Sequence, residues 1–273
     1  WQHDLMASYS KVGNVQVAQG DLPGALTSHQ AGLAIAERLA KSDPGNAGWQ
    51  RDLAVAWGMV GIVQEAQGNL PAALKSYQDG LVVFERLAKS DPGNALWQRD
   101  LSVSYNKVGD MGKDQGDLSG ALKSYSDSLA IAERLAKSDP GNALWQRDLS
   151  VSNERLGDIY LAQGNPSSAL EQYRASLDRM VPIRDRDSGN ADLQRFTAVT
   201  MRLIANVCRQ QNDKTNARDY MCRGQAIMAR LTKLSPDNAV WAKDLAWFDG
   251  QIAALDQENI EAPLPGKGKG KAR

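Results

Sequence analysis

The sequence repeats itself every 48 residues, and that period decides what the chain can fold into. Tryptophan recurs at 1, 49, 97, 145 and 241, with Leu193 at the one skipped step. The segment ERLAKSDPGNA stands unchanged at 37–47, 85–95 and 133–143, and WQRDL at 49–53, 97–101 and 145–149. Near-copies in tandem stack in one dimension, each packing on its neighbours. Five units are expected at 1–48, 49–96, 97–144, 145–192 and 193–240, with a cap at 241–257.

Each unit reads as two helices. In the third, Trp97, Leu101, Tyr105 and Val108 recur at helical spacing, and so do Leu122, Tyr125, Leu129, Ala132 and Leu135. The residues after the intervening turn are Asp21, Asn69, Asp117, Asn165 and Asp213, all good N-caps. Asp-Pro-Gly-Asn ends the second helix, and Asn94 or Asn142 can cap the next. No β-alternation competes, so the class is all-α.

These residues resemble the tetratricopeptide repeat (TPR). The third unit offers Tyr105, Val108, Gly109, Ala121, Tyr125 and Pro140, and the fourth Leu156, Gly157, Tyr160, Ala169 and Tyr173. The family period is about 34 residues, so each helix here reads as longer by two turns. Long-helix variants occur in kinesin light chains and in bacterial signalling proteins. The resemblance implies an α-solenoid of five helix-turn-helix repeats over about 1–257, with a capping helix.

Small residues recur where helices must approach: Gly13, Gly61, Gly109, Gly157 and Ala205, and Ala25, Ala73, Ala121, Ala169 and Ala217. Glycine inside a helix costs about 1 kcal/mol against Ala, so close packing is its expected compensation. The tryptophans are expected to plug the junction with the preceding unit, and His29 to take the aromatic slot of Tyr77, Tyr125 and Tyr173. Arg38 and Asp52, Arg86 and Asp100, and Arg134 and Asp148 flank their turn glycines equally. Pro182 and Phe196 replace both partners in the fourth unit. That co-variation predicts salt bridges across each turn. Pro182 predicts a break or kink at 178–186 and a hinge there.

Catalytic chemistry is absent from the reading. The chain has no GxSxG, HExxH, P-loop or CxxC motif, and Glu37, Glu85 and Glu133 read as solvated helix faces. His3 and His29 are the two histidines, and Cys208 and Cys222 read as core thiols rather than a disulfide framework. Hence no enzyme, no metal and no cofactor are expected. With 32 basic against 32 acidic residues the chain lacks the field of a nucleic-acid binder, and no run is long enough for a membrane span. Low cysteine use favours a reducing, cytoplasmic setting. The start at Trp1 reads as that of a fragment, and 258–273 as a disordered basic tail.

In the resembled family the first helices line a concave groove. That implies Lys11 and Asn14 in the first unit, Met59 and Ile62 in the second, and Asn106, Lys107 and Asp110 in the third. Arg155 and Asp158 follow in the fourth, and Arg202, Asn206 and Arg209 in the fifth. The Lys/Asn carboxylate clamp of some members is broken here by Ser10, Met59 and Val103. The expected function is a non-catalytic protein–protein interaction scaffold holding a peptide or helix of another protein. Met59 and Ile62 would be its apolar anchor, and Arg155, Arg202 and Arg209 donors to a ligand carboxylate. Lys107 with Asp110 and Arg155 with Asp158 could instead pair within their helices. A self-assembling array joined through its repeat ends, or a sensor module of a larger effector enzyme, are the alternatives.

Overall fold

A computed structural model describes residues 1–261. Among the described residues eleven helices follow one another: α1 (Gln2–Ala18), α2 (Leu22–Ser42), α3 (Ala47–Ala66), α4 (Leu70–Ser90), α5 (Ala95–Asp114), α6 (Leu118–Ser138), α7 (Ala143–Ala162), α8 (Pro166–Arg186), α9 (Ala191–Gln210), α10 (Lys214–Leu234) and α11 (Ala239–Glu261). No strand occurs among the described residues. Of the tail expected at 258–273, residues 258–261 continue α11, and 262–273 lie outside the described residues.

The chain divides into two compact units, Trp1–Gly164 and Asn165 onward. In the first, each helix packs on the next from α1 to α7. In the second, α8 packs on α9, α9 on α10 and α10 on α11.

The helix ends sit where the cap residues put them. Asp21, Asn69, Asp117, Asn165 and Asp213 each accept from the backbone N–H three residues on, at 2.9–3.3 Å. Asn46, Asn94, Asn142, Asn190 and Asn238 do the same at 3.1–3.2 Å. These bonds satisfy amides that the first turn leaves free. The turn before each second helix needs a left-handed residue, supplied by Gly20, Gly68, Gly116 and Gly164 and, in the fifth repeat, by Asn212 at φ 60°.

The recurrent helix glycines are packing sites. A Cβ on Gly61 would lie 2.7 Å from the Tyr77 ring, one on Gly109 2.6 Å from Tyr125, and one on Gly13 2.5 Å from His29. In the fifth repeat Ala205 stands at the glycine position and Met221 at the aromatic one, both fully buried. Trp97 and Trp145 are half-buried against a cluster that includes Phe84, Leu87, Leu101 and Leu135, so they do plug the junctions between repeats.

The cross-turn salt bridges fail, and so does the break at Pro182. None of Arg38–Asp52, Arg86–Asp100 and Arg134–Asp148 forms a salt bridge. The aspartates instead receive the basic residue one repeat back on the preceding first helix. Those pairs are His3–Asp52 at 3.3 Å, Arg51–Asp100 at 2.6 Å, Arg99–Asp148, and Arg195–Asp244 at 2.8 Å. Arg134 donates to the Oε1 of Gln98 in its own repeat at 3.2 Å. Equal offset from a turn matched residues along the hairpin, while the carboxylates face across the repeat interface. Nor does Pro182 break α8, which runs through it to Arg186. Both Pro182 and Asp178, whose carbonyl it deprives of a donor, are on the exposed side, where water can replace the lost bond.

Candidate binding groove

The residues expected to line a groove fall on the first helix of each repeat. Lys11 and Asn14 are exposed on α1. On α3, Met59 is half-buried and Ile62 is 37% exposed. Together with Val103, Tyr77, Phe84, Gly80 and the open backbone at Gly58, they line an apolar cleft of about 250 Å³ between α3, α4 and α5. A Cβ on Gly80 would lie 3.0 Å from the Ala54 carbonyl, so the helices meet closely at the cleft floor.

The charged groove positions are tied to one another across repeats. Lys107 reaches Glu65 at 3.5 Å and lies over the Tyr77 ring at 5.5 Å. The Tyr77 hydroxyl donates to Glu65 at 2.6 Å. Burial foremost, and the Glu65 acceptor next, push its phenol well above the ordinary range, so it stays a donor. Arg155 reaches Asp110 at 2.8 Å, which also accepts from the Tyr125 hydroxyl at 2.7 Å. Lys113 reaches Asp158 at 3.5 Å. The within-helix pairings of Lys107 with Asp110 and of Arg155 with Asp158 give way to these inter-repeat ones.

In the second unit Arg202 lies 3.5 Å from Asp244 and over the Trp247 ring at 5.4 Å. Arg209 reaches Glu258 at 3.0 Å. The Glu258 carboxyl is held below its ordinary range by Lys214 first and Arg209 second. Asn206 between them is half-buried. Thus Arg155, Arg202 and Arg209, expected as donors for a ligand, already hold carboxylates of the chain itself.

Sequence reasoning missed one groove feature. Asn106 is 8% exposed, and its Oδ1 has no hydrogen-bond partner; the Arg155 Nε is likewise buried and unpartnered. The signal was present as a polar residue at a position held by Gly58 in the repeat before. Among the described residues no three His, Cys, Asp or Glu side chains group as metal ligands, and no helix is long and apolar enough to cross a membrane.

The comparisons agree on the fold. No protein-family model matches the chain, and neither does any curated protein. Among solved structures, BtubC (BKLC) from P. vanneervenii is 15% identical with a TM-score of 0.59, covering 92% of this chain and 97% of that one. RapI in its apo form is 14% identical with a TM-score of 0.61. The match covers 92% of this chain and 66% of RapI, so this chain spans about two thirds of RapI's length. The kinesin light chain protein of Podosopora anserina with nearly identical TPR-like repeats is 12% identical with a TM-score of 0.62, over 85% of this chain and 98% of that one. The chain therefore has an all-α fold of TPR-like helical repeats.

Proposed function

We propose that the chain is a non-catalytic protein-interaction scaffold whose contact site is the apolar cleft of α3, α4 and α5. One observation carries this reading. Met59 and Ile62 keep apolar surface in contact with solvent where neighbouring repeats present Lys107, Arg155 and Asp110, which are paired. The partner is a peptide or helix of another protein that inserts an apolar side chain between Met59, Ile62 and Val103. Burying such a side chain is worth about 1.5–3 kcal/mol, enough for an anchor and too little for tight binding alone. The role fits TPR-like folds, which serve as interaction surfaces.

Selection of displayed peptides on the purified chain, followed by calorimetry, tests it. Selected peptides should share an apolar anchor and lose affinity at least tenfold on Met59→Asp with Ile62→Asp, while circular dichroism is unchanged. Peptides that bind this double variant undiminished would remove the cleft from the site.

A second reading rests on α1. Leu5, Val12 and Val15 are 49–55% exposed, whereas Leu101, Leu149, Val60, Leu156, Val63 and Met111 at the same repeat positions are buried. Self-association through this face would make mass rise with concentration in sedimentation, and Val15→Lys would abolish the rise.

A further inference from the structure

A second cleft, of about 280 Å³, opens between α8, α9 and α10. It occupies the place that in the second repeat is a cleft of about 290 Å³ lined by Pro44, Gln50, Val83 and a single arginine, Arg86. Here, where the fourth repeat meets the fifth, three arginines line it: Arg184, Arg223 and Arg230. Two are additions. Arg184 replaces the alanine of the repeat (Ala40, Ala88, Ala136), and Arg223 stands where Asp79 and Asp127 stand in earlier copies. Asp185 is the one acid in the lining and Asp219 pairs with Arg223 from beside it, so the cleft keeps one positive charge in excess.

The conserved glutamine of the repeat has changed its bonds here. Gln50, Gln98 and Gln146 each donate from Nε2 to an alanine carbonyl ten residues back, at 3.0 Å. Gln98 also accepts from Arg134 through Oε1. Gln194, the counterpart of Gln98, instead donates to the Ser188 carbonyl, and its Oε1 is buried with no partner while the residue is only 4% exposed. Arg230, the counterpart of Arg134, is exposed and holds neither this oxygen nor a carboxylate. Arg184 is bound to Asp185 at 2.6 Å, and Arg223 to Asp219 at 3.3 Å. The cleft therefore combines a free guanidinium on α10, a paired one on the same helix, a paired one on α8, and one acceptor that lacks a donor.

We propose that this cleft binds the phosphoryl group of a phosphomonoester. Guanidinium forks match phosphate oxygens, and a tetrahedral group can address arginines standing on α8 and α10 at once. A carboxylate offers acceptors in one plane and no donor. A singly protonated phosphoryl group, with a second pKa of about 6, supplies both the anionic oxygens and the hydroxyl that Gln194 Oε1 can accept.

The test is calorimetric titration of the full chain at constant ionic strength with inorganic phosphate, O-phosphoserine and acetate. Phosphate and phosphoserine should bind saturably, and acetate at least tenfold more weakly. Phosphoserine should bind more tightly than inorganic phosphate, and the reverse order would overturn the assignment to an ester. Arg230→Gln and Arg223→Gln each should weaken phosphate at least fivefold. Both side chains are exposed, so the fold should be intact, which circular dichroism checks. Arg86→Gln, in the second-repeat cleft, should change nothing. Equal binding of acetate, or phosphate binding indifferent to Arg230→Gln and Arg223→Gln, would overturn the assignment.

Discussion

Arg51 Nε donates to Asp100 Oδ2 at 2.6 Å, and its Nη2 reaches Oδ1 at 3.4 Å, joining the first helices of the second and third repeats. The Asp100 side chain is only 14% exposed, so the pair is shielded from bulk water. Removing Arg51 leaves a half-desolvated carboxylate, at a cost of about 1–3 kcal/mol. A double-mutant cycle of Arg51→Gln with Asp100→Asn in urea unfolding should give a coupling of about 1–2 kcal/mol. The cycle of Arg86→Gln with Asp100→Asn should give none beyond error. Coupling in the second cycle and none in the first would restore the cross-turn pair.

Gly61 and Tyr77 define a second expectation. Gly61→Ala adds the helix propensity of alanine, about 1 kcal/mol, but forces a methyl to 2.7 Å from the ring. Overpacking of this kind costs about 1–3 kcal/mol, so the variant should melt lower. Tyr77→Met should recover most of the loss in the Gly61→Ala background, because Ala205 with Met221 already packs that way. A Gly61→Ala protein that melts higher than the parent would show that the ring moves freely.

His29 should make stability depend on pH. Burial lowers its pKa below the ordinary value near 6.5. The unfolded chain then binds the proton more readily, so stability is full above about pH 6.5 and falls as pH drops below it. His29→Tyr places the residue of Tyr77 and Tyr125 in the slot. The difference in unfolding free energy between parent and variant should therefore widen from pH 7.5 to pH 5.5. A constant difference would mean that His29 does not titrate on unfolding.

The caps, the turns and the glycine–aromatic contacts were legible in the sequence because each is local or falls within one hairpin. Asp21 meets Gly24 three residues on, and Gly61 meets Tyr77 sixteen residues on. The ladder of Arg51 with Asp100 was not, because its partners lie one period plus one residue apart. Symmetry about the turn offered Arg86 as a closer candidate. Pro182 misled for another reason: sequence shows the missing N–H, while only the fold shows that the orphaned carbonyl is on the wet side. The cleft of Met59 and Ile62 was half legible, since two apolar side chains interrupt a polar series. That Arg155, Arg202 and Arg209 are spent on Asp110, Asp244 and Glu258 depends on how neighbouring first helices are set side by side.

Asn106 ties stability to binding. Its Oδ1 is buried on α5 without a partner, which costs about 1–3 kcal/mol of unmet desolvation. Leucine, with the same branched four-atom side chain but bulkier methyls, removes that oxygen, and Asn106→Leu should raise the unfolding midpoint by about 1 kcal/mol in free-energy terms. If the groove takes an extended peptide, a backbone N–H of that peptide is the donor the oxygen lacks. The same substitution should then weaken selected peptides about fivefold to tenfold, since a lost hydrogen bond is worth about 1 kcal/mol. Calorimetry on parent and variant reads both quantities. A variant that is more stable and binds as well as the parent would restrict the contact to the apolar cleft. One that is less stable would mean that Asn106 is satisfied by ordered water in solution.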